Sequence, residues 1–175
     1  MVDRTFPPLL AAALAAPFAV GHEGHDFEPF DEFDPAEEVT DWWRAWTGND
    51  AAAEPPFRFF GMDGSGGQAT LWVRDPSAPI DAQPVAFLGS EGELAVFARN
   101  LGDYVWLLAN GVGPLELVDG LDREPQPIPA LVALAPGEPR SVEVIAAGTE
   151  GLLDELEKFV EQVCNGPFDD DGEPF

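Results

Sequence analysis

Four short apolar runs punctuated by glycine constrain this chain more than any other feature. Phe57–Phe60 reads as a strand, Gly61–Gly67 as a glycine-rich turn and Ala69–Arg74 as a second strand. Pro84 then introduces Val85–Leu88 and Glu93–Ala98, a hairpin about Gly89–Gly92. The runs are too short for helices, and the glycines at 61, 64, 66, 67, 89 and 92 supply the backbone freedom that tight turns require. Gly61, Gly64, Gly66, Gly67, Gly89 and Gly92 are therefore assigned structural turn roles. Both faces of the hairpin are apolar, which predicts a place in the middle of a sheet. Asn100 and Asp103 next cap a helix with Leu101, Tyr104, Val105 and Leu108 on one side, ended by Gly111.

The flanks are read in the same way. Pro7 and Pro8 open a short helix carrying Leu10 and Leu14, closed by Pro17. Asp34 caps a second helix, with Pro35 at its first position and Glu37 at a capping-box spacing. Val39, Trp42, Trp43 and Trp46 follow as one apolar stripe, and Gly48 stops it; three tryptophans so spaced are core packing. Leu115–Val118, Pro129–Ala135 and Val142–Ala147 are read as further strands between proline-rich turns. A last helix from Thr149 places Leu153, Leu156, Val160 and Val163 on one face and ends at Gly166 and Pro167. A chain of 175 residues leaves room for one ordinary core. The expected organisation is an N-terminal helix and acidic arm over 1–33, one domain over 34–166 and a flexible acidic tail over 167–175.

Charge narrows function. With 33 acids against 8 bases the formal charge is -25, which excludes a sequence-independent nucleic-acid binder, because that needs a basic surface to neutralise phosphates. An apolar fraction of 45% is enough to pack an interior, so the acids belong on the surface, where they suit a basic partner or a high-salt environment. Nine acids and no base lie between Glu23 and Asp41, with Phe27, Phe30 and Phe33 interleaved at every third position. The aromatic residues anchor this segment either to the domain or to a partner.

The single cysteine, Cys164, excludes an internal disulfide framework, which fits a cytoplasmic location. Leu9–Val20 faintly resembles a secretory signal, but Asp3 offsets Arg4, prolines interrupt the run, and it falls short of the roughly 20 residues that span a bilayer. No membrane association is expected.

The residues offer little for catalysis. His22, Glu23, His25 and Asp26 bring metal-binding atoms together, but Gly21 and Gly24 oppose the helix that a zincin pattern requires, so a solvated acidic loop is expected and no metal. The Gly61–Gly67 loop lacks the Lys-Ser/Thr of a phosphate cradle, and Asp63 would repel the anion. Asp169–Glu173 resembles the start of a calcium loop without its distal glutamate. Ser65, Ser77, Ser90 and Ser141 lack a nucleophile setting, and Cys164 is expected to be a small buried residue of the last helix. No catalytic residue and no cofactor is assigned, and the expectation is a protein that is not an enzyme.

The segment FFGMDGSGGQATLW, followed by PVAFLGSEGELAVFARNLGDYVWLLANG, resembles the central block of the SUKH superfamily, relatives of the yeast cell-wall-assembly regulator that serve in bacteria as immunity proteins. The resemblance covers roughly residues 57–118. It departs from the family before that block: the usual proline-tyrosine-leucine helix with an Asn-Gly-Gly turn is not seen, and Trp42–Asp50 is the nearest counterpart. The resemblance implies an α+β fold, with a helical N-terminal portion before a mixed, mainly antiparallel sheet flanked by helices. It also implies action by binding, with a toxin domain, nucleases among them, as the protein partner. An acidic face could occupy a nuclease's basic groove. The face nominated is Phe27, Glu28, Phe30, Asp31, Glu32, Phe33, Glu37, Glu38 and Asp41. The alternatives are an intracellular scaffold or regulatory module of the same fold that binds a host protein, and an enzyme using a carboxylate pair or a metal at His22 and His25.

Overall fold

The computed structural model describes residues 4–16, 27–114, 116–120 and 123–165. Among the described residues five strands form one sheet in the order β1-β2-β3-β4-β5, with β1 Phe27–Pro29, β2 Phe57–Asp63, β3 Gln68–Trp72, β4 Val85–Leu88 and β5 Leu94–Ala98. Every neighbouring pair is antiparallel, and helices flank the sheet, an α+β architecture. The helices are α1 Pro8–Ala15, α2 Ala36–Thr47, α3 Leu101–Ala109, α4 Glu116–Asp119, α5 Pro129–Leu134, α6 Val142–Ala147 and α7 Leu152–Cys164. Among the described residues no helix is long and apolar enough to cross a membrane. Pro17, His22, His25, Leu115, Gly166 and the tail 167–175 lie outside the described residues.

The alternation of side chains along each strand divides the core into two layers. In β4, Val85 and Phe87 face one layer while Ala86 and Leu88 face the other. The first layer holds α1, α3, α5 and α6 against Phe60, Leu71 and Phe97. The second packs α2 and α7 on Phe57, Phe59 and Trp72. The same alternation lets β2 serve both, with Phe57 and Phe59 on one side and Phe60 on the other, and its pairing with β3 shifts register between Phe59 and Gly61. The N-terminal stretch is built into the first layer: Phe6, Leu10, Ala13 and Phe33 are all buried there.

Helix α3 is buried on nearly every side, from Leu101 to Ala109. Asn100 caps it by accepting the Asp103 N–H at 2.8 Å, as its sequence predicts. Asp103 is only 3% exposed, and its carboxylate meets Arg99 Nε at 2.9 Å and Arg140 Nε at 3.2 Å. Trp106 Nε1 donates to the Pro136 carbonyl and Asn110 Nδ2 to the Arg140 carbonyl, tying the α5–α6 connection to α3.

Several expectations are corrected. The three strands expected after residue 114 are helices: α4 replaces the first over Glu116–Asp119, and α5 and α6 replace the others. Pro129 sits in the first turn of α5, and the Ser141 hydroxyl accepts the Val144 N–H to cap α6. Each then buries one apolar residue, Leu131 or Ile145, against the first layer. The β4–β5 hairpin lies at the edge of the sheet, not its middle; β5 is apolar on both faces because α3 and α6 cover one and α7 the other. Helix α2 starts at Ala36 with Pro35 as its N-cap and no side-chain cap, while the Asp34 N–H donates to the Phe59 carbonyl at 3.2 Å. Thr149 closes α6 through its hydroxyl on the Ala146 carbonyl, and α7 begins only after Gly151. Gly61 is a strand residue, held small because a Cβ there would strike the Phe27 ring and the Glu28 carbonyl oxygen. Gly66 and Gly92 are turn residues, with φ of 94° and 98°. Cys164 is exposed, not buried.

Candidate protein-binding face

The segment 27–34 is laid along β2 by backbone pairing. Phe27, Glu28 and Pro29 oppose Asp63, Met62 and Gly61. The Phe30 N–H donates to the Phe60 carbonyl at 2.9 Å, and the Phe33 N–H to the Arg4 carbonyl at 2.9 Å. The phenylalanines turn inward. Phe33 is 3% exposed and meets Phe6 edge-to-face at 4.8 Å, and Phe27 meets Phe60 at 6.3 Å. Phe33 is therefore a core residue and is withdrawn from the nominated face, while Phe27 and Phe30 are half-buried. Of the two anchoring roles open to these aromatics, Phe33 takes the one toward the domain.

With the aromatics inward, the acids between them turn out. Glu28, Asp31 and Glu32 are exposed beside the outer edge of β1. On α2, Val39 and Trp43 face the second layer, which leaves Glu37, Glu38 and Asp41 exposed on the opposite side at helical spacings of three and four. All six nominated acids thus lie on the surface of one continuous stretch of chain. Glu37 and Glu38 also occupy the first turn of α2, where the helix dipole favours negative charge.

Arg4 is the cation placed within this acidic surface. Its Nε donates to the Phe33 carbonyl at 2.7 Å and its guanidinium pairs with Glu32 at 3.1 Å. Asp34 lies behind them, and its carboxyl is raised above the ordinary range by partial burial and by the charge of Glu38, with Arg4 pulling the other way.

An open cleft of about 620 Å³ adjoins β1, lined by Phe27, Glu28, Met62 and the turn from Asp63 to Gly66. One Asp63 oxygen accepts from the Ser65 N–H, the Ser65 hydroxyl and the Gly67 N–H, which fixes the turn. Met62 and Asp63 were missed as members of this surface. The signal that could have found them is the antiparallel pairing of β1 with β2, but a three-residue strand is too short to read from its sequence.

Six of the other seven cations have partners outside the nominated acids. Arg58, Arg74, Arg99, Arg123 and Arg140 each form an ion pair, and Arg44 Nε donates to the Ala52 carbonyl. Among the described residues Arg4–Glu32 is the one ion pair that the six nominated acids make.

Comparison of the chain with protein-family models, with curated proteins and with solved structures finds no match in any of the three.

The side chains considered for chemistry occupy structural positions. Ser65 and Ser77 donate to Asp63 and Asp75 in their turns, Ser90 donates to Ser65, and Ser141 caps α6. The Cys164 thiol is raised by partial burial, the opposite of an activated thiolate. Among the described residues no three His, Cys, Asp or Glu side chains are grouped to hold a metal, and His22 and His25 lie outside them.

Proposed function

We propose that this chain is a non-catalytic, cytoplasmic binding protein of the immunity type, which covers a basic toxin domain such as a nuclease with the surface formed by Glu28, Asp31, Glu32, Glu37, Glu38 and Asp41. The observation that carries this reading is the exposure of all six acids, of which Glu32 alone is paired with an arginine among the described residues. Such a surface steers a basic partner into contact quickly and loses grip as salt screens it over about 10 Å at 0.1 M. The resemblance of residues 57–118 to SUKH proteins supplies the class of partner. Retention by affinity capture from the host's lysate tests it. The expected result is one stoichiometric basic protein at low salt, released at moderate salt, with Glu37→Lys plus Glu38→Lys weakening capture at least about tenfold. Unchanged capture by the double variant would refute this face, and no basic partner at either salt would refute the reading. A captured host protein unrelated to toxins would instead identify a scaffold or regulatory module.

A second reading has an observation of its own: Asp154, Glu157 and Glu161 on α7 are also exposed, far along the chain from the nominated face. Acids so spread suit a protein adapted to high salt. Unfolding measured in low and high KCl separates the two, since that reading requires stability to rise steeply with salt.

A further inference from the structure

Strand β5 ends the sheet on the side opposite β1, and its backbone is only half used. The Gly89 N–H donates to the Glu93 carbonyl at 2.7 Å, which makes these two facing residues a hydrogen-bonded pair. Such pairs alternate along an antiparallel ladder, so Ala95 bonds to Phe87, while Leu94 and Val96 turn their N–H and C=O groups away from β4. The other side of β4 agrees: the Trp72 N–H donates to the Pro84 carbonyl at 2.8 Å, so Ala86 and Leu88 direct their backbone groups to β3 and not to β5. Among the described residues no strand lies beyond β5 to meet the outward groups of Leu94 and Val96.

Nothing in the strand deters a further partner. Exposed edges are commonly guarded by a charge or a proline, and Leu94–Ala98 has neither; the irregularity in its pairing lies past Val96, toward Ala98. Leu94, Ala95 and Val96 are half-buried, and an open cleft of about 300 Å³ runs along them. Its walls rise on both faces of the sheet, with Leu117 of α4 and Val142 and Ile145 of α6 on one side and Leu153 of α7 on the other. Leu117 is 38% exposed. Thr149, the polar residue of the wall, already donates its hydroxyl to the Ala146 carbonyl. A compact apolar ligand would take water from the outward N–H and C=O groups and give nothing back, whereas an extended backbone pairs with them and places alternate side chains on the two apolar walls.

Charge selects among extended chains. Glu93, Glu143, Glu150 and Asp154 are exposed and each adjoins a wall residue in the chain, while no lysine or arginine adjoins one. Arg99, past the far end of the strand, is held by Asp103 at 2.9 Å. A second copy of this chain would bring the same acids against these, and a basic segment would neutralise them.

We propose that the outer edge of β5 binds an extended segment of another protein, with apolar residues in its middle and lysine or arginine at its ends, as a sixth strand of the sheet. This surface lies at the opposite edge from the acidic face of β1 and α2, and it does not depend on the toxin reading.

The test titrates three peptides into the full chain at low salt. The first is acetyl-Lys-Lys-Thr-Val-Thr-Val-Lys-Lys-amide, the second has glutamate in place of every lysine, and the third is the first with its four central amides N-methylated. The expected result is one-to-one binding of the first peptide, at least about tenfold tighter than either of the others, with hydrogen exchange of the Leu94 and Val96 amides slowed at least about tenfold on saturation. Glu150→Lys with Asp154→Lys, both on the surface, should weaken the first peptide about tenfold. No binding of the first peptide, equal binding of the N-methylated or the acidic peptide, or unchanged exchange at Leu94 and Val96 would overturn the proposal. A dimer seen by sedimentation in the free chain and abolished by Leu117→Lys would overturn it too, since the edge would then belong to a second copy. Exchange in the wild-type chain decides the matter even if a variant fails to fold.

Discussion

The two layers of the core are built on different principles. The layer of α2 and α7 is thin and aromatic. Trp43 is 1% exposed, stacks on Phe159 at 5.8 Å and meets Phe57 edge-to-face at 5.4 Å, while acids cover the outer sides of both helices. The layer on the other face of the sheet is thick, because α3 is itself sandwiched between the strands and α1, α5 and α6. A helix enclosed in this way cannot keep a polar side facing water, so its polar groups must find partners inside. Asp103 finds two arginines, Trp106 finds a carbonyl, and Tyr104 finds nothing. On the thin side the buried polar group of α2 is the Thr47 hydroxyl, which donates to the Trp43 carbonyl of its own helix; the thick layer carries a charged group within.

The largest effect expected from this difference is on the thin side, where a few large rings do most of the packing. Trp43→Ala should cost about 3–5 kcal/mol in urea unfolding, with an unchanged slope if the two layers melt as one unit. Leu131→Ala removes a fully buried side chain from the thick layer and should cost about 2–5 kcal/mol. A loss at Leu131 exceeding that at Trp43 would reverse the ranking and show that the helix-rich layer is the tighter. A changed slope in either variant would show that the layers unfold separately.

A smaller effect tests the polar group inside the thick layer. Removing one partner of a buried ion pair typically costs about 3–5 kcal/mol, but Arg99 and Arg140 keep 47% and 39% of their side-chain surface in water. Asp103→Ala should therefore cost about 2 kcal/mol, the reduction reflecting solvent around the two arginines that remain. Glu155→Ala breaks the exposed pair with Arg74 on the thin side and should cost less than about 0.5 kcal/mol. Equal losses would mean that the burial of Asp103 contributes nothing, and the contrast between layers would then rest on packing alone.

The same contrast explains what the sequence disclosed. Helices of the thin layer have one wet side, so Val39, Trp42, Trp43 and Trp46 repeat at helical spacing, as do Leu156, Val160 and Val163, and both helices are legible. The strands of the meander are legible for a related reason: glycine turns and proline-containing connections bracket runs of four to seven residues. In the thick layer the signal fails. Pro129–Leu134 and Val142–Ala147 are six residues each, under two turns, and a run that short with β-branched residues looks alike as strand or helix. Only the Ser141 cap and the Pro129 position pointed to helices, and both are single-residue cues. The acidic face was legible as a run of charges. The inward turn of Phe33 was not, because it depends on Arg4 and Phe6, 27 residues and more away in sequence. Tyr104 read as one apolar position among four, and nothing local showed that its hydroxyl would be stranded.

The smallest expected effect lies where the acidic face meets the core. Asp34 has a carboxyl raised in the folded chain, first by burial and then by Glu38. Between its ordinary value of 3.8 and its raised folded value, the folded protein holds a proton that the unfolded chain has released. Stability from this group is therefore greatest at low pH and falls as pH rises through that window. Asp75 and Glu143 act in the opposite sense, since hydrogen bonds from Ser77 and at Ser141 lower them, and their contribution is lost as pH falls. Asp34→Asn removes the charge but keeps the shape, so in urea unfolding at pH 7 it should equal or slightly exceed the wild-type chain. Below pH 4 its advantage should vanish, leaving a profile that rises with pH more steeply than that of the wild type. Lower stability of Asp34→Asn at pH 7 would mean that the Asp34 charge is held mainly by Arg4 and not opposed by burial and Glu38. The acidic face would then be neutralised by Arg4 at its inner margin, and fewer of its charges would be left for a basic partner.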